Sequence, residues 1–298
     1  NQIEKLSASL FKYNLKLEII LMENNKIKYI GSSIFNNLPN LKFADLQTNE
    51  CINGKFTETS ISEVDIRISS HCSPPTDIFC SFEKSSAFYS CKVIDLVVEN
   101  ENTKVLEVQG SHQKGKSNND VTELLIINQN IQYFPTGFAK FIKNIARIFV
   151  KNSKLTALDG NSFDQMTQIV QLIFADNQIS TVAGNTFFKV KNSVEIIDLS
   201  NNKLAEIEPE TFKGLIKLKV LKLNSNKLSS LPSSLLTDNI KLEELHAKNN
   251  KLKSIGAHLM NNLRNVILVD FTENICISQK FPLVTLHALK LNIVDQCK

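Results

Sequence analysis

The sequence predicts an α/β solenoid of short coils of constant length. Each coil gives one strand to a curved parallel β-sheet on a concave face and an irregular, 3-10 or short-helical segment to a convex face. Three observations predict this. An apolar pattern recurs at intervals of about 24 residues from Val121 onward. An asparagine slot recurs in step with it, and positions 1–72 align without a gap on positions 226–297. A fixed period in the range of about 20–50 residues points to stacked repeats, because one such unit cannot bury its apolar face alone.

The template LxxLxLxxNxL has apolar residues at positions 1, 4, 6 and 11 and Asn at position 9. It fits Leu218, Leu221, Leu223, Asn226 and Leu228, and then Leu242, Leu245, Ala247, Asn250 and Leu252. Towards the N-terminus it fits Val194, Ile197, Leu199, Asn202 and Leu204, and Ile169, Leu172, Phe174, Asn177 and Ile179. Ile145, Ile148, Val150 and Leu155 carry Ser153 in the Asn slot, while Val121, Leu124, Ile126 and Ile131 carry Gln129. The last copy is Val266, Val269, Phe271, Asn274 and Cys276, making seven in register. Position 14 is apolar in Phe134, Leu158, Val182, Ile207, Leu231 and Ile255, and position 19 carries Phe163, Phe187 and Phe212, then Leu236 and Met260.

Each slot has a physical reason. Positions 4 and 6 alternate with polar neighbours, as in a short strand with one buried face. Stacking sets these strands side by side and joins the apolar residues into one continuous core. A buried Asn at position 9 offers both a donor and an acceptor to backbone groups where the chain leaves the strand. The position-19 phenylalanines are expected to stack as a spine behind the sheet.

This pattern resembles the typical extracellular leucine-rich repeat over nearly the whole chain. With its cysteine-bearing ends, the sequence is similar to insect secreted leucine-rich-repeat proteins and to Toll- or Slit-like ectodomains. The resemblance implies protein recognition in immunity, adhesion or development, without naming a ligand.

The gapless alignment of 1–72 on 226–297 has 26 of 72 positions identical, with Cys51 falling on Cys276 and Cys72 on Cys297. Two tandem arrays are therefore expected. Residues 1–72 read as the C-terminal part of a first array with its cysteine cap, and 73–79, with Ser73-Pro74-Pro75-Thr76, as a stiff linker. Residues 80–298 read as a second array, with an N-cap over 80–120, repeats over 121–275 and a C-cap over 276–298. Asn1 aligns with position 9 of a repeat, so the expectation is that the chain starts inside a coil and that upstream sequence is missing.

The 34 basic and 30 acidic residues leave a net charge of only +4, too balanced to advertise nucleic acid as partner. No apolar run approaches the length of a membrane span. Six cysteines allow 15 connectivities, and the repeat geometry favours the local pairs Cys51 with Cys72, Cys80 with Cys91, and Cys276 with Cys297. Disulfides persist in oxidising compartments, so an extracellular location is expected, secreted or as the ectodomain of a membrane protein; the rival is a cytosolic repeat protein with reduced, buried thiols. No Asn-x-Ser/Thr glycosylation site occurs.

Gly110-Ser111-His112-Gln113-Lys114-Gly115-Lys116-Ser117 spells the GxxxxGKS phosphate-cradling pattern. That chemistry needs a helix starting at Lys116-Ser117. Asn118-Asn119-Asp120 are poor helix formers, and the first repeat follows at once. A solvated basic loop is the stronger reading, and nucleotide binding the weakest of three functional alternatives. The histidines (His71, His112, His246, His258 and His287) share no metal spacing with Cys or carboxylate. No catalytic constellation can be assigned, so neither an enzyme nor a cofactor is expected.

Positions 2, 3, 5, 7 and 8 should face solvent from the concave sheet. Position 5 reads Leu125, Phe149, Ile173, Asp198, Lys222, His246 and Asp270. Leu125, Phe149 and Ile173 form an apolar column that Ile196 and Val220 extend sideways from position 3. Strands about 4.8 Å apart would bring these side chains into contact. The expectation is a protein partner anchored on the column, with Lys222 and His246 tuning specificity. The alternatives are that the N-cap or the 110–120 loop covers the column, or that a structural or matrix protein self-associates through the same face.

Overall fold

A computed structural model describes residues 2–6, 10–11, 13–30, 34–35, 38–58, 60, 64, 72, 76–85, 87–101, 103–282 and 297. Asn1, His71, Ser73 to Pro75 of the expected linker, His287 and C-cap residues 283–296 and 298 lie outside the described residues. The chain divides into two compact units, residues 1–76 with 99–106, and residues 77–98 with 107–298.

The second unit is a parallel β-solenoid. Its strands follow in chain order: Tyr89–Ile94, Glu123–Ile127, Arg147–Lys151, Gln171–Ile173, Ile196–Asp198, Val220–Lys222, Glu244–His246 and Leu268–Asp270. Every neighbouring pair in that series is parallel. The ends differ. At one end Thr76–Lys84 pairs antiparallel with Tyr89–Ile94, and at the other Lys280–Pro282 pairs antiparallel with Leu268–Asp270. A reversed strand takes up the backbone groups that a last parallel strand would leave as an open edge.

The strand Thr76–Lys84 includes residues 76–79, which the sequence reading placed in the linker. The reason is its alternation: Ile78, Cys80 and Phe82 are buried and face the first coil, whereas Phe79 and Ser81 point outward. The hairpin, rather than a loose cap, shields the first coil's apolar face.

The repeat residues behave as their spacing requires. Leu218, Leu221, Leu223 and Leu228 are each fully buried, as are Val194, Ile197, Leu199 and Leu204. A buried leucine of this kind stabilises the fold by about 1.5–3 kcal/mol relative to exposure. Behind the sheet, Phe163, Phe187 and Phe212 stack with successive ring centroids 5.9 Å apart. Phe134 continues the series 5.9 Å from Phe163, and Phe138, one position before the slot held by Ala139, packs 5.7 Å from Phe134.

The asparagines form a ladder. Asn177 Nδ2 donates to the Val150 carbonyl of the preceding coil at 2.6 Å and to Phe174 and Ala175 of its own, while its Oδ1 accepts the Ser153 and Leu155 amides. Asn202, Asn226, Asn250 and Asn274 repeat the same donation across coils. Ser153 manages part of this by donating to the Ile126 and Lys151 carbonyls, and Gln129 by donating to Ile127 and accepting from Leu96. Just before each rung the backbone turns left-handed: Asn128, Asn152, Asp176, Asn201, Ser225, Asn249 and Glu273 have φ between 49° and 60°. That conformation favours Asn and Asp among side-chain residues, because their short polar groups bond locally.

The first unit is built alike. Ile19–Leu21 pairs parallel with Phe43–Asp45, and Lys55–Thr57 closes the sheet antiparallel. Lys5–Leu6 and Tyr29–Ile30 pair on the return side. In the second unit the returns hold, among the described residues, no helix beyond the 3-10 turns Asn118–Asp120, Phe138–Lys140 and Phe188–Val190. Among the described residues no helix is long and apolar enough to cross a membrane.

Candidate functional site

Short strands stacked in register turn each repeat position into a column on the concave face. Leu125 lies opposite Phe149, and Phe149 opposite Ile173. Ile173, Asp198, Lys222, His246 and Asp270 then follow on successive strands. Ile196 faces Val220 in the position-3 column. All seven proposed contact residues are half-buried on strands whose alternate side chains are in the core.

The column has a neighbour that sequence reasoning missed. Arg147 lies between two rings, its guanidinium carbon 4.2 Å from the Phe88 centroid and 4.8 Å from that of Phe149. It pairs with Glu123 at 3.2 Å and donates to Gln171 Oε1 at 2.9 Å, while Ser90 Oγ donates to Glu123 at 2.6 Å. The signal was available in the position-3 column, where Glu123, Arg147 and Gln171 stand in register. A guanidinium held by stacking and a carboxylate presents a rigid planar surface beside the apolar column.

Charge dominates the other end. Lys222 Nζ lies 4.0 Å from Asp198, whose carboxylate accepts the Ser200 hydroxyl and amide. His246 Nε2 is 2.8 Å from Glu244. Burial pushes the Asp270 carboxyl up, but the Thr272 hydroxyl and amide, with Lys280 and His246 nearby, outweigh it and hold the group below its ordinary range.

The 110–120 loop is anchored on the N-terminal hairpin. His112 stacks on Phe82 with centroids 3.8 Å apart, its Nδ1 is 3.1 Å from the Tyr89 hydroxyl, and that oxygen accepts the Gln113 amide. The GxxxxGKS stretch leads into the three-residue 3-10 turn Asn118–Asp120 instead of a helix, and Ser117 caps that turn. Lys116, the residue that would reach a phosphate, donates to Asp120 at 2.8 Å. These contacts tie the loop to the hairpin as a structural feature, with its lysine and serine engaged internally.

Three disulfides are formed, Cys51–Cys72, Cys80–Cys91 and Cys276–Cys297, each with Cα atoms 5.1 Å apart. Among the described residues no group of three His, Cys, Asp or Glu side chains is placed to hold a metal ion.

Residues 192–252 match the leucine rich repeat family model, and residues 1–82 match the BspA type leucine rich repeat region model. No curated protein matches the sequence. Among solved structures, the Toll–Spatzle complex, described as a molecular hub in Drosophila development and innate immunity, is matched at 19% identity and a TM-score of 0.48, over 96% of this chain and 37% of that one. A chain of the octameric complex of Latrophilin 3, Unc5D and FLRT2 is matched at 22% identity and a TM-score of 0.44, over 55% of this chain and 49% of that one. The chain thus spans less than half the length of either neighbour. Two repeat models thus match towards the chain's two ends, and the asparagine ladder between coils shows that it is built from leucine-rich repeats.

Proposed function

We propose that this chain is a non-enzymatic recognition module of the extracellular space, binding a protein partner on the concave sheet of the array at 80–298. Residues 1–72 would be the end of a separate array. Leu125, Phe149 and Ile173 anchor the partner, flanked by Ile196 and Val220, and Lys222 and His246 set specificity. One observation carries the reading: an apolar column held in strict strand register beside Arg147 runs into a charged column on the same face. Apolar contact centres with polar surroundings, and an aromatic or arginine at the middle, are the anatomy of a binding hot spot. The three disulfides support an oxidising compartment.

The test is a screen of the disulfide-intact chain against secreted and cell-surface proteins, with each hit measured again on Phe149→Asp. A charge at the centre of the column should weaken a true partner about 30-fold or more, in line with hot-spot losses above about 2 kcal/mol. Secretion and the circular dichroism spectrum should stay unchanged. Partners that bind the variant as well as the parent chain would defeat the assignment. Sedimentation velocity on the same two proteins separates it from self-association, which would appear as a concentration-dependent oligomer that Phe149→Asp dissolves.

A further inference from the structure

The residues just past each asparagine rung form further columns, on the flank where the chain leaves the concave sheet. The Lys203 amide donates to the Ile179 carbonyl at 2.8 Å, the Lys227 amide to Leu204 at 2.8 Å and the Lys251 amide to Leu228 at 2.9 Å. Three successive coils therefore set a lysine at the same place. Two residues further on, the Lys253 amide donates to the Ser229 carbonyl at 2.8 Å, and beside it Ser230–Leu231 pairs parallel with Ser254–Ile255. All four lysines are exposed. With coils about 4.8 Å apart, the column Lys203, Lys227 and Lys251 is about 10 Å long.

The charge on this flank is one-sided. Residues 224–237 and 247–260 contain four lysines, Lys227, Lys248, Lys251 and Lys253, and no carboxylate. Lys248 pairs with Glu273 at 2.9 Å. Lys227, Lys251 and Lys253 have no carboxylate within ion-pair distance among the described residues, and Lys203 donates to the neutral Gln178 Oε1 at 2.9 Å. Acids return only on the coil of Lys203, where Glu206 and Glu208 follow it, so the basic centre lies on the two later coils.

The first unit carries a balanced version of the same flank. The gapless alignment sets Lys26 on Lys251 and Lys28 on Lys253. The Lys26 amide donates to the Ile3 carbonyl at 3.1 Å, in the same kind of ladder. Lys28, however, lies 3.6 Å from Glu4 and 3.9 Å from Glu50. The positions equivalent to those two acids are Ser229 and Ile275, the latter 64% exposed. A hydroxyl and a hydrocarbon thus stand in the second unit where the first has carboxylates.

We propose that this flank of the second unit binds a sulfated polysaccharide. The polysaccharide runs along the stack of coils, and its sulfates meet Lys227, Lys251 and Lys253, with Lys203 at one end. A lysine ammonium is a compact point charge with three rotatable donors, suited to a sulfate that arrives in no fixed orientation. The Ser229 hydroxyl adds a donor at the same place. Each contact also releases a counterion condensed on the polyanion, which favours a linear partner of high charge density. Residues 224–237 and 247–260 contain no Phe, Tyr or Trp, whereas proteins that hold single-stranded nucleic acid stack its bases on aromatic rings. The three disulfides favour an oxidising compartment, outside the cell, where sulfated polysaccharides occur. The flank shares no residue with the column Leu125, Phe149 and Ile173, so either reading can fail without the other.

The experiment titrates the disulfide-intact chain with a heparin octasaccharide at low salt, followed by calorimetry. The controls are the same octasaccharide after desulfation, a single-stranded oligonucleotide of similar charge, and vesicles containing phosphatidylserine. The expected result is saturable binding with a Kd below about 10 μM. It should be at least about tenfold tighter than any control and weaken steeply as salt rises. Lys227→Gln, Lys251→Gln and Lys253→Gln should each weaken it about threefold or more. Ser229→Glu with Ile275→Glu, which copies the acids of the first unit onto exposed positions, should weaken it at least about tenfold while leaving the circular dichroism spectrum unchanged. Phe149→Asp should bind as the parent chain does. Absence of saturable binding, equal affinity for any control, or parental affinity in the Ser229→Glu, Ile275→Glu variant would overturn the proposal. So would a loss in Phe149→Asp as large as in the lysine variants, which would place the polyanion on the concave face instead.

Discussion

Two coils that the gapless alignment sets on each other, one ending at Asn49 and the other at Asn274, are built from the same contacts, and the coils before them show different faces. In the first unit Asn49 Nδ2 donates to Met22, Leu46 and Gln47 while its Oδ1 accepts the Ile27 amide. In the second, Asn274 donates to Ala247, Phe271 and Thr272 and accepts from Leu252, each partner at the same offset. The closing strands agree as well: Asp45 opposes Lys55 and Ala44 opposes Phe56, as Asp270 opposes Lys280 and Val269 opposes Phe281. Both coils end in a disulfide spanning 21 residues. On the concave face of the preceding coils the likeness stops. The first unit offers Ile19 at 55% and Leu21 at 63% exposure, whereas the equivalent residues of the second are Glu244 and His246, bonded to each other. Contacts that hold coils together recur, whereas among the outward residues Asp45 and Asp270 agree but Ile19 and Leu21 differ from Glu244 and His246.

The largest expected effect tests the recurring part. Each 21-residue disulfide loop should contribute about 3 kcal/mol. Replacing Cys51 and Cys72 together by Ala, or Cys276 and Cys297 together by Ala, should therefore cost similar amounts, read as the shift in urea midpoint of the transition belonging to that unit. A cost confined to one pair would break the equivalence of the two ends. Next comes the ladder. Asn49→Ala and Asn274→Ala each remove three donations and one acceptance. About 2 kcal/mol is expected for each, since such bonds contribute about 1 kcal/mol and do not add fully. Hydrogen exchange at the Ile27 and Leu252 amides should accelerate in step.

Acid supplies a smaller test. Burial raises the Asp45 carboxyl, but the Gln47 amide and Lys55 outweigh it, so this group, like Asp270, sits below its ordinary range. A depressed folded value stabilises fully above the unfolded value of about 3.9 and is lost as pH falls through the folded one. Both caps should therefore lose thermal stability below about pH 4. Asp45→Asn and Asp270→Asn should each flatten that decline, measured as Tm between neutral and acid pH.

The sequence made the ladder and the core readable because both depend on residue type at a fixed spacing. Leu221, Asn226 and Phe212 each have essentially one structural use at their position. The N-terminal hairpin was harder to see, because Ile78, Cys80 and Phe82 alternate outside the repeat register and follow a proline pair that reads as linker. Its further contacts, His112 on Phe82 and Tyr89, join segments well apart in the chain through pairings that no period announces. On the concave face the columns were legible, but the stacking of Arg147 between Phe88 and Phe149 was not, because one ring comes from the cap.

The smallest expected effect is the most discriminating for function. Exchanging the outward residues, Ile19→Glu with Leu21→His in one variant and Glu244→Ile with His246→Leu in another, touches no ladder or disulfide contact. Substitutions of this kind usually change stability by no more than about 0.5 kcal/mol, so Tm should barely move in either variant. If instead either exchange cost more than about 1 kcal/mol, the outward residues would be helping to hold the coils, and their divergence would no longer single out a binding face. With stability level, the first variant should lose exposed apolar surface and bind less of an apolar dye such as ANS, and the second should bind more. A binding face can then be rewritten without rebuilding the solenoid beneath it, because the strand fixes where a side chain points while leaving its chemistry free.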